Sequence, residues 1–185
     1  EKLQEFINET EKIYNVKIVC SKEEVPLGTA GPIGLARDNY FKDSKFDYLF
    51  VFNADITCSY PLKELLDFHI TSQAEGTIYT TKVQDPTKYG VVVSEENGKI
   101  QKFIEKPQVF ISDNINAGLY CFSSHFLNRI ETKPCSIEKE IFSQLASEGK
   151  MYSLNLPGFW MDVGQPKDYL AGTILYSNNQ QKEKC

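Results

Sequence analysis

The 185-residue sequence lacks the cysteine spacing of a metal-binding or disulfide-stabilised protein. Its five cysteines are far apart and form no CxxC pair: Cys20, Cys58, Cys121, Cys135 and Cys185. Structural zinc sites use closely spaced cysteines and histidines, and disulfide-rich small proteins use an even set of cysteines. We therefore expect free thiols in a reducing compartment, and we predict a cytoplasmic location.

Long hydrophobic runs and an excess of basic charge are also missing. The apolar run Tyr48–Phe52 is far shorter than the roughly 20 residues that span a bilayer, and no secretory signal is visible. The sequence has 20 basic and 25 acidic side chains, which gives a net charge of -5. We expect neither a membrane nor a nucleic acid as partner, because binding to a phosphate backbone needs a basic surface.

Three short motifs of nucleotide and nucleophile chemistry are absent. The sequence contains no Walker loop, no GxGxxG fingerprint and no GxSxG elbow. These absences argue against a P-loop enzyme and a dinucleotide-binding Rossmann domain. They also leave covalent catalysis without support.

Helical and strand patterns alternate along the chain, which predicts an α/β domain. Helices are predicted from Leu3 to Tyr14 and after Pro32, Pro61, Ser136 and Pro166. Strands are predicted at Val16–Cys20, Phe46–Phe52, Thr77–Val83, Val91–Ser94, Ile100–Ile104, Ile115–Phe122 and Met151–Leu156. Phe46–Phe52 is almost continuously apolar, which is typical of a strand covered on both faces in a parallel sheet.

The predicted architecture is a mostly parallel, mixed sheet flanked by helices, with an antiparallel hairpin insertion. Asn97-Gly98 is the expected hairpin turn. We predict one domain over residues 1–177 and a polar tail over 178–185.

Charged residues follow three of the apolar segments. Asp55 comes after Phe46–Asn53, Glu105-Lys106 follows Ile100–Ile104, and Asp162 follows Gly158–Trp160. Ligands collect at the carboxyl ends of strands in open sheets, and Mg²⁺ prefers one or two carboxylates together with phosphate oxygens. These residues therefore suggest a magnesium and phosphate site. The alternatives are a turn former for Asp55, a loop residue for Asp162 and a solvated strand end for Glu105-Lys106.

A loop of small residues precedes the second predicted helix. Leu27-Gly28-Thr29-Ala30-Gly31 would let the backbone approach a flat ligand or a phosphate. An ordinary turn is the alternative.

Longer strings resemble a known family. They are Glu24-Val25-Pro26-Leu27-Gly28-Thr29-Ala30-Gly31-Pro32, Phe52-Asn53-Ala54-Asp55, Lys88-Tyr89-Gly90-Val91-Val92, Phe103-Ile104-Glu105-Lys106-Pro107, Ile115-Asn116-Ala117-Gly118-Leu119-Tyr120 and Gly158-Phe159-Trp160-Met161-Asp162-Val163-Gly164-Gln165-Pro166. In this order they are similar to the sugar-1-phosphate nucleotidyltransferases. Two further strings, Ser136-Ile137-Glu138-Lys139-Glu140 and Gln165-Pro166-Lys167-Asp168, resemble one subfamily in particular. It is the eukaryotic, catalytic (beta) type, whose members join mannose 1-phosphate to GTP.

The resemblance implies a Rossmann-like nucleotidyltransferase fold and a reaction that gives GDP-mannose and pyrophosphate. It implies contacts of Leu27, Gly28 and Thr29 with the guanine, and of Asp55 with the nucleotide. It implies Mg²⁺ on Asp55 and Asp162, which with Lys106 are the predicted catalytic residues. Gly90, Glu105 and Asn116 would contact the mannose, and Lys106 its phosphate.

The resemblance also implies that parts of the family's architecture are missing. Family members begin with a βα unit whose Gly-rich loop carries an arginine and a lysine, and they end in a hexapeptide β-helix. Neither is found here, so we expect a fragment that is inactive alone and has an uncovered sheet edge or core face. We expect the full-length protein to be a homo-oligomer or to form a complex with a regulatory subunit.

Two other functions remain open from the sequence. One is a related enzyme that uses another nucleotide or sugar, such as a glucose 1-phosphate thymidylyl- or adenylyltransferase. The other is a non-catalytic regulatory subunit that binds GDP-mannose.

Overall fold

A computed structural model describes residues 2–182 of the chain, with five α-helices and eight strands in that part. The helices are α1 (Lys2–Tyr14), α2 (Gly31–Ala36), α3 (Leu62–Ser72), α4 (Ser143–Ser147) and α5 (Pro166–Lys182). The strands are β1 (Tyr48–Phe52), β2 (Ile56–Cys58), β3 (Gly76–Lys82), β4 (Gly90–Ser94), β5 (Ile100–Glu105), β6 (Asn114–Ser123), β7 (Met151–Asn155) and β8 (Trp160–Asp162). Wider π-helical turns extend α2 through Phe41 and precede α4 from Ile137.

The long strand β6 organises the six-stranded sheet. One of its edges pairs with β3 over most of its length, and β7 lies beyond β3. The opposite edge is shared, because β4 pairs with it at Ile115 whereas β1 pairs with it from Leu119 to Ser123. The sheet therefore forks at residues 116–118, between the end of β1 and the hairpin of β4 and β5.

The mixed sheet with flanking helices and the antiparallel hairpin are confirmed. Gly98 sits at the hairpin tip with a φ of 86°. The predicted predominance of parallel pairs is wrong for residues 2–182, where only β3 and β7 run parallel and every other pair is antiparallel. The expectation that Phe46–Phe52 is covered on both faces is wrong as well, because β1 pairs only with β6 among the described strands and none of its five residues is fully buried. A continuous apolar run does not settle the direction or the cover of a strand, since apolar side chains also remain on protein surfaces.

The predicted strand at Val16–Cys20 is wrong, because the segment is irregular and pairs with no described strand. Its alternation is a strand pattern, but a strand needs a hydrogen-bonded neighbour to form. The outer edge of β1 pairs with no described strand, and its end residues Tyr48 and Phe52 are 38% and 42% exposed. This agrees with the expectation of an uncovered sheet edge.

The first and last helices form where they were predicted, but much of their apolar surface faces solvent. In α1 only Ile7 is buried, and Leu3 and Phe6 are exposed. Helix α5 runs through Lys182, so it includes the first five residues of the predicted tail. Residues 183–185 lie outside the described residues, and the domain boundary at 177 stays a prediction. No helix in the described range is long and apolar enough to cross a bilayer.

Two apolar clusters cover the two faces of the sheet and fix β6 between them. One contains the rings of Tyr120, Phe122 and Phe142, and the other contains Leu65, Tyr79 and Leu119. Phe122 stacks on Phe126 with ring centroids 3.8 Å apart. Because alternate residues of β6 enter opposite clusters, the strand cannot slip by one residue without exposing both sets.

His69 of α3 is buried behind this sheet, with 1% of its surface exposed. Its Nδ1 lies 2.8 Å from the Thr77 hydroxyl and its Nε2 lies 3.0 Å from the Ser123 hydroxyl. Since Ser123 donates to the Ala74 carbonyl, Nε2 is the donor and Nδ1 accepts from Thr77. The network satisfies a neutral imidazole, and burial, followed by the charge of His125, lowers the pKa of His69 from 6.5 to about 4.

We predict that His69 makes folding sensitive to acid. The unfolded state binds a proton below about pH 6.5, whereas the folded state does so only near pH 4, so stability is lost as the pH falls between these values. At pH 5 the loss from this group is about 2 kcal/mol relative to pH 7.5. Denaturant unfolding of the wild type and His69→Gln at both pH values measures it. The exposed His125→Gln should keep most of the wild-type pH dependence, because burial is the larger cause of the lowered pKa of His69. A wild type and a His69→Gln variant with equal pH dependence would contradict the prediction.

Candidate functional site

Asp55 and Asp162 lie side by side at the end of a two-stranded ribbon. Strands β2 and β8 pair antiparallel with Ile56 opposite Asp162, and the Val163 amide donates to the Asp55 carbonyl at 2.7 Å. A Cβ built on Gly164 would lie 3.1 Å from an oxygen of each carboxylate. Because each oxygen lies 3.1 Å from that Cβ position, the distance between the two oxygens is at most twice this value. Glycine has no Cβ, so the space between the two carboxylates is open.

This pair fits a magnesium ion that is completed by ligand oxygens. No group of three or more cysteine, histidine or carboxylate side chains suited to a metal is present among the described residues. Mg²⁺ binds through one or two carboxylates with phosphate and water as the remaining ligands. Asp55 and Asp162 supply that number, and Gly164 supplies the room.

The pair opens into a polar cleft of about 860 Å³. Its lining includes the two carboxylates, the Tyr89 and Trp160 rings, Asp168 and three lysines, namely Lys82, Lys88 and Lys167. Lys82 pairs with Asp113 at 3.1 Å and Lys88 with Asp85 at 3.7 Å. Lys167 has no ion pair in the described part of the chain. The cleft therefore combines a place for a cation with side chains that attract phosphate.

Tyr89 and Trp160 connect this cleft to the fork in the sheet. Their rings meet edge to face with centroids 5.7 Å apart. The Trp160 indole donates to the Ala117 carbonyl at 2.8 Å, and the Tyr89 carbonyl accepts from the Lys106 amide at 3.1 Å. Burial, followed by the negative charge of Asp162, raises the pKa of Tyr89. These contacts hold the carboxylate pair in a fixed relation to β5 and β6.

Gly90 and Glu105 face each other on the paired strands β4 and β5. A Cβ at Gly90 would lie 2.5 Å from the Phe103 ring and 3.0 Å from Glu105 Oε2. The glycine therefore leaves room for the Glu105 carboxylate, whose side chain is 18% exposed. Burial raises the pKa of Glu105, and the charge of Glu138 raises it further.

Lys106 follows β5 with a left-handed φ of 47°. This turn directs its side chain toward solvent, where Nζ lies 3.7 Å from Glu105 Oε1. Lys106 does not line the cleft that contains Asp55 and Asp162. It therefore belongs with Glu105 in this structure, and its predicted contact with a sugar phosphate stays a prediction.

Asn116 lies at the fork and is held by a polar network. Its amide donates to the Tyr120 hydroxyl at 2.8 Å, and its carbonyl oxygen accepts from the Gly118 amide at 3.0 Å. Gly118 has a φ of 78°, and a Cβ there would lie 2.8 Å from the Asn53 side chain. The backbone of Asn53 donates to Gly118 at 2.9 Å. The network ties the end of β1, which leads to Asp55, to the segment that carries Asn116.

The loop of residues 27–31 packs against residues 133–137. Cys135 accepts from the amides of Thr29 and Ala30, and its own amide donates to the Leu27 carbonyl at 3.1 Å. Gly28 has a φ of 75° and lies so close to Cys135 that a Cβ would come within 2.4 Å of its carbonyl oxygen. The backbone of this loop makes the close approach that its small residues predict, and the group it approaches is the backbone of Cys135 in the same chain.

The structure thus arranges the predicted residues in three groups. Asp55 and Asp162 form one, Gly90, Glu105, Lys106 and Asn116 surround the fork, and Leu27, Gly28 and Thr29 form the loop. Sequence reasoning assigned no role to Tyr89, Lys167 or Glu138. Tyr89 directly precedes Gly90 in the family-like string Lys88-Tyr89-Gly90-Val91-Val92, and this is the one sequence signal that pointed to Tyr89.

The four described cysteines are free thiols, and burial raises the pKa of Cys121 to about 12.

A profile of the family described as "Nucleotidyl transferase" matches residues 1–179. The chain belongs to this family. It is 51% identical over 183 residues to the Dictyostelium discoideum "Mannose-1-phosphate guanylyltransferase catalytic subunit beta", covering 98% of this chain and 50% of that protein. The Xenopus tropicalis protein of the same name is 51% identical over 175 residues, covering 94% and 48%. The chain spans about half the length of the curated relatives it matches.

A solved structure agrees with the fold. A Bacillus anthracis protein, described as a candidate glucose-1-phosphate thymidylyltransferase in complex with sucrose, superimposes with a TM-score of 0.75. The two chains are 20% identical, and the match covers 92% of this chain and 69% of the other. At this identity the likeness establishes a nucleotidyltransferase-like fold and nothing finer.

We predict that Gly164→Ala raises the Mg²⁺ concentration needed for nucleotidyl transfer by tenfold or more. The added methyl group would sit 3.1 Å from an oxygen of each carboxylate, so both would have to shift by a few tenths of an ångström, and Mg²⁺ tolerates little departure from its octahedral geometry. The measurement is a Mg²⁺ titration of the initial rate in the full natural protein. Gly164 lies on an exposed loop, so the free energy of unfolding should change little. An unchanged Mg²⁺ requirement would show that the space at 164 is not used.

Proposed function

We propose that the protein is a mannose-1-phosphate guanylyltransferase, which converts GTP and mannose 1-phosphate to GDP-mannose and pyrophosphate. The observation that carries the proposal is the pair of Asp55 and Asp162 at the mouth of a lysine-lined cleft. The substrates come from the relatives, which are about 50% identical over nearly the whole chain and carry this name.

The reaction needs no protein nucleophile. An oxygen of the mannose phosphate attacks the α-phosphorus of GTP, a new P–O bond forms, and the bond to the β-phosphate bridge breaks to release pyrophosphate. Positioning and neutralisation of negative charge supply most of the rate in such a transfer. A Mg²⁺ ion held by Asp55 and Asp162 would supply charge neutralisation and polarise the phosphate oxygens.

The remaining side chains bind and orient the two substrates. Leu27, Gly28 and Thr29 would contact the guanine. Glu105 accepts hydrogen bonds from sugar hydroxyls, and Asn116 is held by Tyr120 in an orientation suited to the same task. Lys106 and Lys167 offer positive charge to the sugar phosphate and to the nucleotide phosphates.

The assembly and location follow from the same proposal. The name "catalytic subunit beta" of the relatives supports a full-length protein that works in a homo-oligomer or beside a regulatory subunit. A cytoplasmic location fits the free thiols of the described cysteines.

We predict that Asp55→Asn and Asp162→Asn each lower kcat by at least about 10²-fold. Each removes a charged ligand from the proposed metal site while it keeps the size of the side chain. Pyrophosphate release from GTP and mannose 1-phosphate in the full natural protein measures this. Asp67→Asn is the matched control, because it removes an exposed carboxylate of α3 whose partner Lys63, like Asp67 itself, lies outside the cleft lining.

A substrate panel separates the proposal from its alternatives. ATP, dTTP and glucose 1-phosphate are tested beside GTP and mannose 1-phosphate. A higher kcat/KM with another pair identifies a related enzyme of different specificity. GDP-mannose binding without turnover of any pair identifies a regulatory subunit and overturns the catalytic proposal.

A further inference from the structure

A second cavity, here called the far-end cavity, lies at the end of the sheet opposite to the candidate site. It has a volume of about 620 Å³ and is lined by residues of the segments 37–47 and 124–128. The Ser124 amide donates to the Asp47 carbonyl at 2.8 Å, where β6 has ended and β1 is about to begin. Asp55 and Asn116 lie toward the other ends of these strands, and the far-end cavity shares no lining residue with the cleft of Asp55 and Asp162.

The far-end cavity is positively charged, although the whole chain has a net charge of -5. Three basic and two acidic side chains line it, which gives a net charge of +1 for Arg37, Lys42, Lys45, Asp38 and Asp47. Asp38 is already paired, because it accepts from Arg37 Nε at 2.8 Å and from the Thr132 hydroxyl at 2.6 Å. Lys42 and Lys45 form no ion pair or hydrogen bond with any described residue. Both lysines are therefore available to an anion.

Arg37 is the fixed cation of this cavity. Its Nη1 donates to the carbonyls of Leu127, at 2.7 Å, and of Ile130, while its Nε donates to Asp38. A guanidinium has five N–H donors, so three bonds leave the two donors of Nη2, and these have no partner within residues 2–182. The side chain is only 25% exposed. An arginine that is already ordered and keeps two free donors is well suited to bind a phosphate.

The remaining lining suits a planar ring and hydroxyl groups. Phe41 and Phe46 are half-buried and meet edge to face, with ring centroids 6.3 Å apart and an angle of 80° between the planes. A flat base that stacks on one of these rings meets the edge of the other, and aromatic groups prefer both arrangements. The Asp47 carboxylate and the Ser124 hydroxyl bond to no described side chain or backbone group, so they can accept from sugar hydroxyls.

We propose that the far-end cavity is a second ligand site and that it binds a nucleoside monophosphate. The phosphate lies against Arg37, Lys42 and Lys45, the base lies on the two phenylalanine rings, and the ribose hydroxyls donate to Asp47. The volume is within the roughly 300–1,000 Å³ of pockets that hold small ligands. A bare anion would leave the rings unused, and the small excess of positive charge favours one phosphate group over three. The site does not depend on the proposed function.

The test counts the binding sites for guanosine 5′-monophosphate (GMP) on the full natural protein by equilibrium dialysis. We expect the double variant Lys42→Gln/Lys45→Gln to bind one GMP fewer per chain than the wild type, because the phosphate loses two of its three cations. Its kcat and its KM for GTP should stay within about twofold, since neither exposed lysine lines the cleft of Asp55 and Asp162.

Lys12→Gln/Lys17→Gln is the matched control for this loss of charge. It removes two exposed lysines that line neither the far-end cavity nor the cleft, so it should bind as many GMP molecules as the wild type. The far-end site is refuted if Lys42→Gln/Lys45→Gln binds as many GMP molecules as the wild type, or if the control loses one as well.

Phe46→Leu tests whether the ligand needs a base. It removes an aromatic ring and keeps an apolar side chain, so we expect the affinity for GMP at this site to fall by about tenfold. Binding of inorganic phosphate at the same site should not change. Wild-type protein that binds inorganic phosphate as tightly as GMP, or a Phe46→Leu variant with the wild-type affinity for GMP, would overturn the assignment to a nucleoside monophosphate.

Discussion

The pairing of β6 on both of its edges is the constraint on which the rest of the structure depends. β3 occupies one edge, and the other edge is divided between β4 and β1. Where that edge changes partner, at residues 116–118, the backbone takes a left-handed turn at Gly118 and the side chains of Asn116, Tyr120 and Asn53 bond across the gap. At the fork the end of β1 lies beside Gly118, because the Asn53 amide donates to the Gly118 carbonyl at 2.9 Å.

The candidate site follows from this fork. The end of β1 delivers Asp55, the hairpin of β4 and β5 delivers Gly90 and Glu105, and β6 delivers Asn116. The ribbon of β2 and β8 then brings Asp162 beside Asp55. Asp55 and Asp162 line the cleft together with the lysines, and Gly90, Gly118 and Gly164 lie where an added methyl group would fill the space between side chains.

The apolar clusters on both faces of the sheet hold this arrangement together. They lock the register of β6, so Asn116 and Tyr120 keep their orientation. Helices α1 and α5 contribute less, since much of their apolar surface faces solvent. The sheet around the fork is therefore packed on both faces, whereas the outer helices leave apolar surface exposed.

The sequence by itself determined the alternation of helices and strands, the hairpin at Asn97-Gly98 and the short strings that identify the family. These features are local, because turn residues and apolar periodicity act over a few neighbours. Tertiary structure alone decided the antiparallel directions of the strands and the absence of a strand at Val16–Cys20, since both depend on which distant segment offers a hydrogen-bonding edge. It also decided the contact of Glu138 with Thr29, because the two residues are 109 positions apart in the chain. The position of Lys106 outside the cleft was likewise decided by where the hairpin of β4 and β5 lies relative to the ribbon of β2 and β8.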